Sequence, residues 1–246
     1  MKIYRTLKRN FFNKIMPILE GFKLRRRFES DFELYNTLAT VEAKAKKEYL
    51  YPCLYDATSE TYIEPMYFYQ DAWAFERILL NNPNEHIDIG SSHKLVSFLS
   101  KITSLTMVDI RPLSLEMDTI KFMKGDILDL PFKEESVESL SSICVIEHIG
   151  LGRYGDKIDP LGTERAVKEI NRVLKKGANF YFSVPVEEIN KVYFNAHRAF
   201  NEEYLLSFLF PNFEVVDKKY IYGTNFQNTI NAQQFGVGCY HLKKRY

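Results

Sequence analysis

From residue 86 onward, short apolar runs alternate with segments in which apolar residues recur every three or four positions. Runs of the first kind predict buried strands, and segments of the second kind predict helices that pack on them. The predicted strands cover residues 86–90, 105–110, 120–124, 139–146 and 178–185, and the predicted helices cover 93–101, 163–175 and 201–210, with a short helix after Pro112. This alternation predicts an α/β fold with a mostly parallel sheet and helices on both faces.

Two further strand-like runs follow the last predicted helix, at residues 213–222 and 236–242. No helical pattern separates these two runs, so we expect them to pair antiparallel as a C-terminal hairpin. Upstream of the alternating region, apolar spacing predicts helices over residues 31–50 and 72–80.

The first 50 residues are expected to form a basic helical arm, followed by one domain over residues 51–246. Residues 1–27 contain nine basic side chains and one acid, Glu20, whereas the remainder carries 24 basic and 31 acidic residues. Apolar residues lie between the basic ones, so this arm is suited to contact with an anionic membrane surface. The alternative is a solvated helix whose apolar stripe packs on the domain or on a second subunit.

Composition narrows the classes of function. The formal net charge of +1 gives no electrostatic case for binding nucleic acid. Three scattered cysteines and histidines without ligand spacing indicate neither a disulfide framework nor a metal site. No apolar run has the length of a membrane span, and the start lacks the apolar segment of a secretion signal, so we expect a cytoplasmic protein. The oligomeric state is not predicted.

Acidic and glycine residues mark the ends of three predicted strands. The first strand leads into Asp88-Ile89-Gly90, the second ends at Asp109, and Gly125-Asp126-Ile127 follows the third. In an open parallel sheet, a glycine there lets backbone approach a ligand, and acids at neighbouring strand ends can hold ribose and base. The pattern indicates a pocket for a nucleoside-bearing cofactor. Asp109 could instead cap a helix, Asp126 could be a turn residue, and NAD would use the same second-strand acid.

A second set of polar residues is expected at the same edge of the sheet. Glu147 and His148 follow the fourth strand, and the glycine-rich loop 150–156 comes next. His197 and Arg198 follow the fifth strand after a short loop. Loops at this edge commonly carry function, so these residues are candidates for an acceptor site.

His197 is the candidate base, because an imidazole titrates near neutrality and can take a proton from a hydroxyl. Glu147 and Asp156 are alternatives for that role. The candidate acceptor-binding residues are His148, Tyr154, Arg198 and, upstream of the sheet, Asp56. Three of these candidates have a structural alternative: His148 as a partly buried structural histidine, Glu147 as a helix-start acid and His197 as a helix cap.

Over residues 86–243 the chain resembles the class I (Rossmann-like) S-adenosylmethionine-dependent methyltransferases. The motifs that resemble that superfamily are Asp88-Ile89-Gly90, Asp109, Gly125-Asp126-Ile127, the segment 142–148 and the segment 168–177. The runs 147–156 and 194–198 are similar to a largely uncharacterised bacterial group of methyltransferase-like proteins, and segments 52–58 and 72–74 extend that similarity. One departure is that Ser92 and Lys94 stand where two further glycines are usual, so Ser92 must take a negative φ or stand further from the ligand.

The resemblance implies a Rossmann-like methyltransferase sheet with S-adenosylmethionine as the cofactor. The residues implied to hold the cofactor are Asp88, Gly90, Ser91, Asp109, Ile110, Asp126 and Ile127. It further suggests methylation of a sugar hydroxyl on a surface glycan or a related small molecule, with contact at the inner face of a membrane through the basic arm. Two alternatives stay open: a non-catalytic binding module with this fold, supported by Ser92 and Lys94, and a nucleotide-sugar or NAD-linked enzyme on the same sheet.

Overall fold

The computed structural model describes residues 2–231 and 233–246, with side chains from residue 18 onward. The chain divides into an N-terminal unit, Met1–Tyr62, and a C-terminal unit, Ile63–Tyr246, each described here by itself. The basic side chains from Lys2 to Lys14 that contribute to the predicted membrane-binding arm lie outside the described residues. No helix in the described ranges combines the length and the apolar character needed to span a bilayer.

The N-terminal unit consists of one long helix and two short turns of 3₁₀-helix. Helix α1 spans Lys2–Leu38, and the turns follow at Val41–Ala43 and Lys47–Tyr49. The predicted helix over 31–50 is therefore wrong beyond residue 38. The amide of Asn36 explains the break, because it accepts a hydrogen bond from the Ala45 backbone nitrogen (2.8 Å) and donates to the Ala45 carbonyl oxygen (3.1 Å), which folds the chain back.

The C-terminal unit is built on an eight-stranded sheet. Its parallel strands are β1 (Glu85–Ile89), β2 (Ser104–Asp109), β3 (Ile120–Lys124), β4 (Val137–Ile143) and β5 (Leu174–Val186). A separate antiparallel pair follows, β6 (Lys191–Tyr193) and β7 (His197–Ala199), and the sheet is completed by β8 (Phe213–Tyr222), β9 (Asn225–Gln227) and β10 (Gly236–Lys244). The strand order in the sheet is β3-β2-β1-β4-β5-β10-β8-β9. This confirms the predicted parallel sheet with an antiparallel C-terminal hairpin.

Helices cover both faces of the sheet, as predicted. Helices α2 (Pro65–Asn81) and α3 (His93–Leu99) belong to one apolar cluster with β2 residues, and α4 (Gly162–Val173) belongs to a second cluster with β5 residues. Helix α2 begins before the predicted residue 72, because the Glu64 carboxylate caps it by accepting from the Tyr67 backbone nitrogen (2.7 Å). The predicted helix 201–210 is a short π-helix over Tyr204–Leu209.

Two predictions within the alternating region are wrong. The segment after Pro112 forms turns and bends rather than a helix, since the Asp109 carboxylate accepts from the Arg111 backbone nitrogen (2.8 Å) and closes a turn there. Strand β4 ends at Ile143 rather than at residue 146, because Cys144 has a φ of 52° and leaves the extended conformation.

The chain order of the strands fixes where ligands bind in such a sheet. From β1 the chain moves outward through β2 and β3, and then returns to place β4 on the other side of β1. The loops after β1 and β4 therefore diverge, and they leave a crevice at the carboxyl ends of these strands.

Candidate functional site

Two cavities open at this crevice in the C-terminal unit. The narrow cavity, of about 130 Å³, lies at the ends of β1 and β2, and the wide cavity, of about 590 Å³, lies beside α2 and the β6–β7 hairpin. Both cavities are lined by four shared residues: Gly90, Cys144, His148 and Tyr154. A ligand bound in the narrow cavity can therefore reach a second molecule in the wide one.

Gly90 forms the wall of the narrow cavity at the end of β1. Its φ of 65° favours glycine, and a Cβ there would lie 3.4 Å from a Val145 methyl and 3.7 Å from Asp109 Oδ2. The glycine therefore keeps the backbone free of a side chain at the point where the two cavities meet.

Ser92, which replaces a glycine of the usual motif, has a φ of −62°. A side chain is compatible with that conformation, which confirms the first of the two outcomes expected for this position. Its hydroxyl caps α3 by accepting from the Leu95 backbone nitrogen (3.2 Å) and donates to Asp71 Oδ2 (2.6 Å). The loop thus keeps its path without the second glycine.

Asp109 and Asp126 both line the narrow cavity, together with Ile110 and Ile127. Asp109 Oδ1 accepts from the Arg111 backbone nitrogen (2.8 Å), and Asp126 Oδ1 accepts from the Leu128 backbone nitrogen (2.9 Å). These bonds fix each carboxylate and leave its second oxygen for a ligand. Each acid can therefore close a turn with one carboxylate oxygen and bind a ligand with the other.

Asp88 lies beneath the site rather than in it. It is fully buried, lines neither cavity, and accepts from the Ser91 backbone nitrogen (3.1 Å) and the Ser141 hydroxyl (2.5 Å). Burial raises the pKa of Asp88 to about 6. The expected direct contact between Asp88 and a cofactor is therefore corrected: Asp88 supports the loop that carries Gly90.

Ser91 lines the wide cavity and not the narrow one, and its expected contact with the cofactor stays a prediction. The Ser91 hydroxyl oxygen accepts from the Ile143 backbone nitrogen (3.0 Å). This bond ties the loop after β1 to the end of β4.

Glu147, which is buried, and His148, which is half-buried, form a neutral pair beside the wide cavity. His148 Nδ1 lies 2.6 Å from the Ala196 carbonyl oxygen, so that nitrogen carries the proton and Nε2 faces Glu147 Oε1 at 3.6 Å. Burial raises the pKa of Glu147 to about 8 and lowers the pKa of His148 to about 4. Glu147 Oε2 is buried with no partner among the described residues.

The loop after His148 is held by Asp156. Its carboxylate accepts from the backbone nitrogens of Gly150 (2.8 Å), Gly152 (3.2 Å) and Tyr154 (3.2 Å). Partial burial opposes ionisation, but these donors outweigh it and lower the pKa of Asp156. A carboxylate so occupied is a poor proton acceptor, so the alternative role of Asp156 as a base is corrected to that of a loop brace.

Tyr154 is the side chain that this brace positions. Its ring lies 4.5 Å from the Arg111 guanidinium and 5.1 Å from that of Arg153, and it meets the His148 ring edge-on at 5.6 Å. Cation–π contacts on the ring join the loops after β2 and β4 above the boundary of the two cavities.

His197 lines the wide cavity from β7. Its ring packs beside those of Tyr193 (5.0 Å) and Phe235 (5.7 Å), and its Nε2 is buried with no partner among the described residues. Burial, helped by the positive charge of Arg153, lowers the pKa of His197, so the imidazole is neutral near pH 7. The geometry leaves Nε2 free for a bound molecule.

Arg198 does not reach either cavity. Its guanidinium donates to the carbonyl oxygens of Ile149 (2.6 Å), Asp159 (3.3 Å) and Pro160 (3.3 Å). The expected acceptor-binding role of Arg198 is corrected, because backbone oxygens occupy its donors. Asp56 belongs to the N-terminal unit, and its expected role stays a prediction.

Several residues of the wide cavity were missed in the sequence. They include Tyr67, Asp71, Cys144 and Phe235, whereas Arg153 belongs to the loop 150–156 that the sequence indicated. Tyr67 and Asp71 are four positions apart on α2 and so share a helix face, which the sequence does show. What the sequence does not show is that this face lies beside the loop after β1.

Comparisons with known proteins address the fold. A family described as "Caenorhabditis protein of unknown function, DUF268" matches residues 128–239, which is less than half of the chain. No curated protein matches.

Solved structures match over most of the chain. The N-methyltransferase NodS from Bradyrhizobium japonicum WM9, solved with S-adenosyl-L-homocysteine, has a TM-score of 0.50 and 13% identity over 79% of this chain and 92% of its own. The [4+2]-cyclase SpnF has a TM-score of 0.54 and 16% identity over 71% of this chain and 80% of its own. The chain therefore has the class I methyltransferase fold. Because a cyclase shares it, the reaction must be argued from the site.

Proposed function

We propose that the C-terminal unit binds S-adenosylmethionine and transfers its methyl group to a small molecule. The observation that carries this proposal is the pair of cavities with a common wall at Gly90, Cys144, His148 and Tyr154. The narrow cavity takes the adenosyl part, and the wide cavity takes the acceptor.

The lining of the narrow cavity fits this cofactor. The free carboxylate oxygen of Asp109 is suited to the ribose hydroxyls, and Asp126 to polar atoms of the adenine. Ile110 and Ile127 supply apolar surface for the flat base, and Gly90 permits close backbone approach. The narrow cavity thus offers carboxylate oxygens for the polar atoms of an adenosyl group and apolar side chains for its flat base.

When bound, S-adenosylmethionine would supply an electrophilic methyl group on its sulfonium sulfur, for transfer to an oxygen of the acceptor. The protein must align the acceptor, exclude water and remove one proton. His197 fits the last task, because its Nε2 is unpartnered among the described residues and its ring is neutral near pH 7. The proton of the acceptor hydroxyl passes to that nitrogen.

We further propose a sugar hydroxyl, on a surface glycan or a related small molecule, as the acceptor. The wide cavity offers hydrogen-bonding groups from Tyr67, Arg153 and His197 and aromatic surface from Tyr154 and Phe235. Polar groups beside aromatic faces suit a ring-shaped ligand rich in hydroxyls. A lipid-linked glycan at the inner, cytoplasmic face of a membrane would also give the basic arm a role.

A transfer assay tests this proposal. The full chain is incubated with S-adenosylmethionine labelled in its methyl group and a panel of nucleotide sugars, free oligosaccharides and lipid-linked oligosaccharides. We expect label in a sugar product, at an oxygen. Binding of the cofactor without transfer to any acceptor would favour the non-catalytic module, and a rise in Tm with NAD but not with S-adenosylmethionine would favour the NAD-linked enzyme.

A further inference from the structure

One carboxylate in the wall of the wide cavity has no role in the chemistry above. Asp71, on the inner face of α2, accepts the Ser92 hydroxyl on Oδ2 (2.6 Å), while its Oδ1 is buried with no partner among the described residues. A buried carboxylate oxygen without a donor is costly, and such groups in folded proteins are normally satisfied by a partner or a ligand.

The surroundings of Asp71 favour a cationic ligand. Burial raises the pKa of Asp71, and the Ser92 hydroxyl and the neighbouring Gln70 amide oppose that rise. Gln70 Nε2 nevertheless makes no hydrogen bond of good geometry within the described residues, so Asp71 Oδ1 still has room for a donor. His93 and Lys94 lie close enough to lower the pKa through their charge, but in the described part of the chain neither comes within 4.0 Å to form an ion pair with Asp71. A positively charged hydrogen-bond donor would supply the missing partner and stabilise the ionised form.

The position of Asp71 indicates which part of the ligand it meets. Asp71 lines the wide cavity with Gly90, Ser91 and Ser92, whereas Asp109 lines the narrow cavity on the other side of Gly90. A cofactor whose ribose is held by Asp109 and which passes Gly90 therefore extends toward Asp71. In S-adenosylmethionine the part beyond the nucleoside is an amino acid, which carries one ammonium group.

We infer that Asp71 binds the ammonium group of the cofactor's amino-acid part and that Ser92 holds Asp71 in place for it. This inference rests on the proposed function. It also gives a reason for serine at the position of a usual glycine, because the Ser92 hydroxyl both caps α3 and orients the carboxylate.

The test compares two ligands that share the nucleoside and the thioether. S-adenosylhomocysteine has the amino acid, and 5′-methylthioadenosine lacks it. By calorimetry on the full chain, Asp71→Asn should lower the affinity for S-adenosylhomocysteine about 10- to 100-fold, the range for losing a charge-assisted hydrogen bond. The affinity for 5′-methylthioadenosine should change by less than about 2-fold. Deaminated S-adenosylhomocysteine should bind the wild type and Asp71→Asn equally.

Two further variants complete the design. Glu76→Gln removes a negative charge from an exposed position of the same helix and should change neither affinity. Ser92→Gly removes the hydroxyl that orients Asp71 and keeps a residue acceptable as a helix cap. It should therefore lower the affinity for S-adenosylhomocysteine about 3- to 10-fold and leave that for 5′-methylthioadenosine unchanged. If Asp71→Asn does not fold, Ser92→Gly alone still tests the inference.

The outcomes separate this inference from the proposed function. An equal loss of affinity for both ligands in Asp71→Asn, or no loss of affinity for either, would overturn the role of Asp71. The same holds if the wild type binds 5′-methylthioadenosine as tightly as S-adenosylhomocysteine. If the wild type binds neither ligand, the proposed cofactor itself is wrong.

Discussion

At the scale of single residues, burial determines which group in the wide cavity can take a proton. Glu147 has a pKa raised to about 8, so it is protonated at neutral pH and cannot act as a base there. The Nε2 of His148 faces Glu147, and the carboxylate of Asp156 is held by three backbone donors. Only His197 among these candidates combines a neutral ring with an unpartnered nitrogen in the described structure.

Replacing His197 tests its role as the base. With the acceptor identified by the transfer panel, His197→Gln should lower the rate of methyl transfer about 10²- to 10⁴-fold, the usual contribution of general-base catalysis. Affinity for 5′-methylthioadenosine, which occupies only the nucleoside part of the site, should stay the same, because His197 does not line the narrow cavity.

The pH profile gives an independent check on His197. Burial lowers the pKa of His197 from 6.5, so the midpoint of the acid limb of the wild-type rate should lie below pH 6.5. A rate in His197→Gln equal to that of the wild type, with the same acid limb, would remove His197 as the base.

The raised pKa of Glu147 makes the free energy of unfolding depend on pH. Its pKa is raised from 4.5 to about 8 in the folded chain, so between these values the folded state retains a proton that the unfolded state releases. Stability from this group is therefore lost as pH rises through that range. Glu147→Gln stays neutral in both states, so its stability relative to the wild type should rise between pH 5 and pH 8.

Thermal unfolding at the two pH values measures this effect. From pH 5 to pH 8, we expect the difference in Tm between Glu147→Gln and the wild type to grow by about 2–4 °C or more. For a chain of this size, that shift corresponds to about 1 kcal/mol in the free energy of unfolding. A difference that does not change with pH would mean that Glu147 ionises in the folded state as readily as in the unfolded state.

At the scale of elements, the sequence predicts the central strands well because they are buried apolar runs with turn residues at their ends. The position of Asp109 and Asp126 at the edge of the sheet was predictable for the same reason, since a strand end can be located from the pattern alone. The three-residue strands β6 and β7 were missed, because β6 is exposed and carries no periodic signal. The end of β4 was misplaced because the positive φ of Cys144 has no signature in a non-glycine residue.

Site residues on helices and loops were harder to predict because tertiary packing gives them their role. Asp71 resembles any polar residue on a helix until α2 is placed beside the loop after β1. Arg198 was assigned to the acceptor because a guanidinium suits anions, but the sequence does not show which carbonyl oxygens surround it. Such roles depend on contacts between residues that are far apart in the chain.

The loop from Gly150 to Asp156 offers a test at this scale. Asp156→Ala removes the acceptor of three backbone N–H groups, so amide hydrogen exchange at Gly150, Gly152 and Tyr154 should accelerate. Affinity for S-adenosylhomocysteine should fall several-fold, because Tyr154 lines both cavities.

Asp156→Asn is the matched variant for this loop. Its amide oxygen still accepts a hydrogen bond, so its effects on exchange and affinity should be smaller than those of Asp156→Ala. Unchanged exchange and affinity in Asp156→Ala, with a loss of transfer rate alone, would instead support the catalytic role first considered for Asp156.

At the scale of the whole molecule, charge is divided between the two ends of the chain. The excess of basic residues in the arm is confined to residues 1–27, which end in Arg25, Arg26 and Arg27, and the rest of the chain carries more acidic than basic residues. The ion pairs of Arg25 with Glu29 (3.3 Å) and of Arg27 with Asp31 (3.5 Å) are on the surface of α1, where such pairs are weak. They therefore leave these arginines available to an anionic surface.

Vesicle binding tests the proposed membrane contact. The full chain should sediment with vesicles of phosphatidylglycerol and phosphatidylcholine, and replacing the three arginines by glutamate should weaken binding at least about 10-fold, since each basic residue near such a surface contributes about 1 kcal/mol. High salt should weaken binding as well. Equal sedimentation with pure phosphatidylcholine would contradict an electrostatic role for the arm.

The central claim is that the crevice at the ends of β1 and β2 binds an adenosyl group. Calorimetry of S-adenosylhomocysteine and of NAD against the full chain and Asp109→Ala tests it most directly. We predict that S-adenosylhomocysteine binds the wild type, that NAD does not, and that Asp109→Ala weakens binding at least about 10-fold through loss of charged hydrogen bonds to the ribose. No binding to the wild type, or unchanged affinity in Asp109→Ala, would contradict the account.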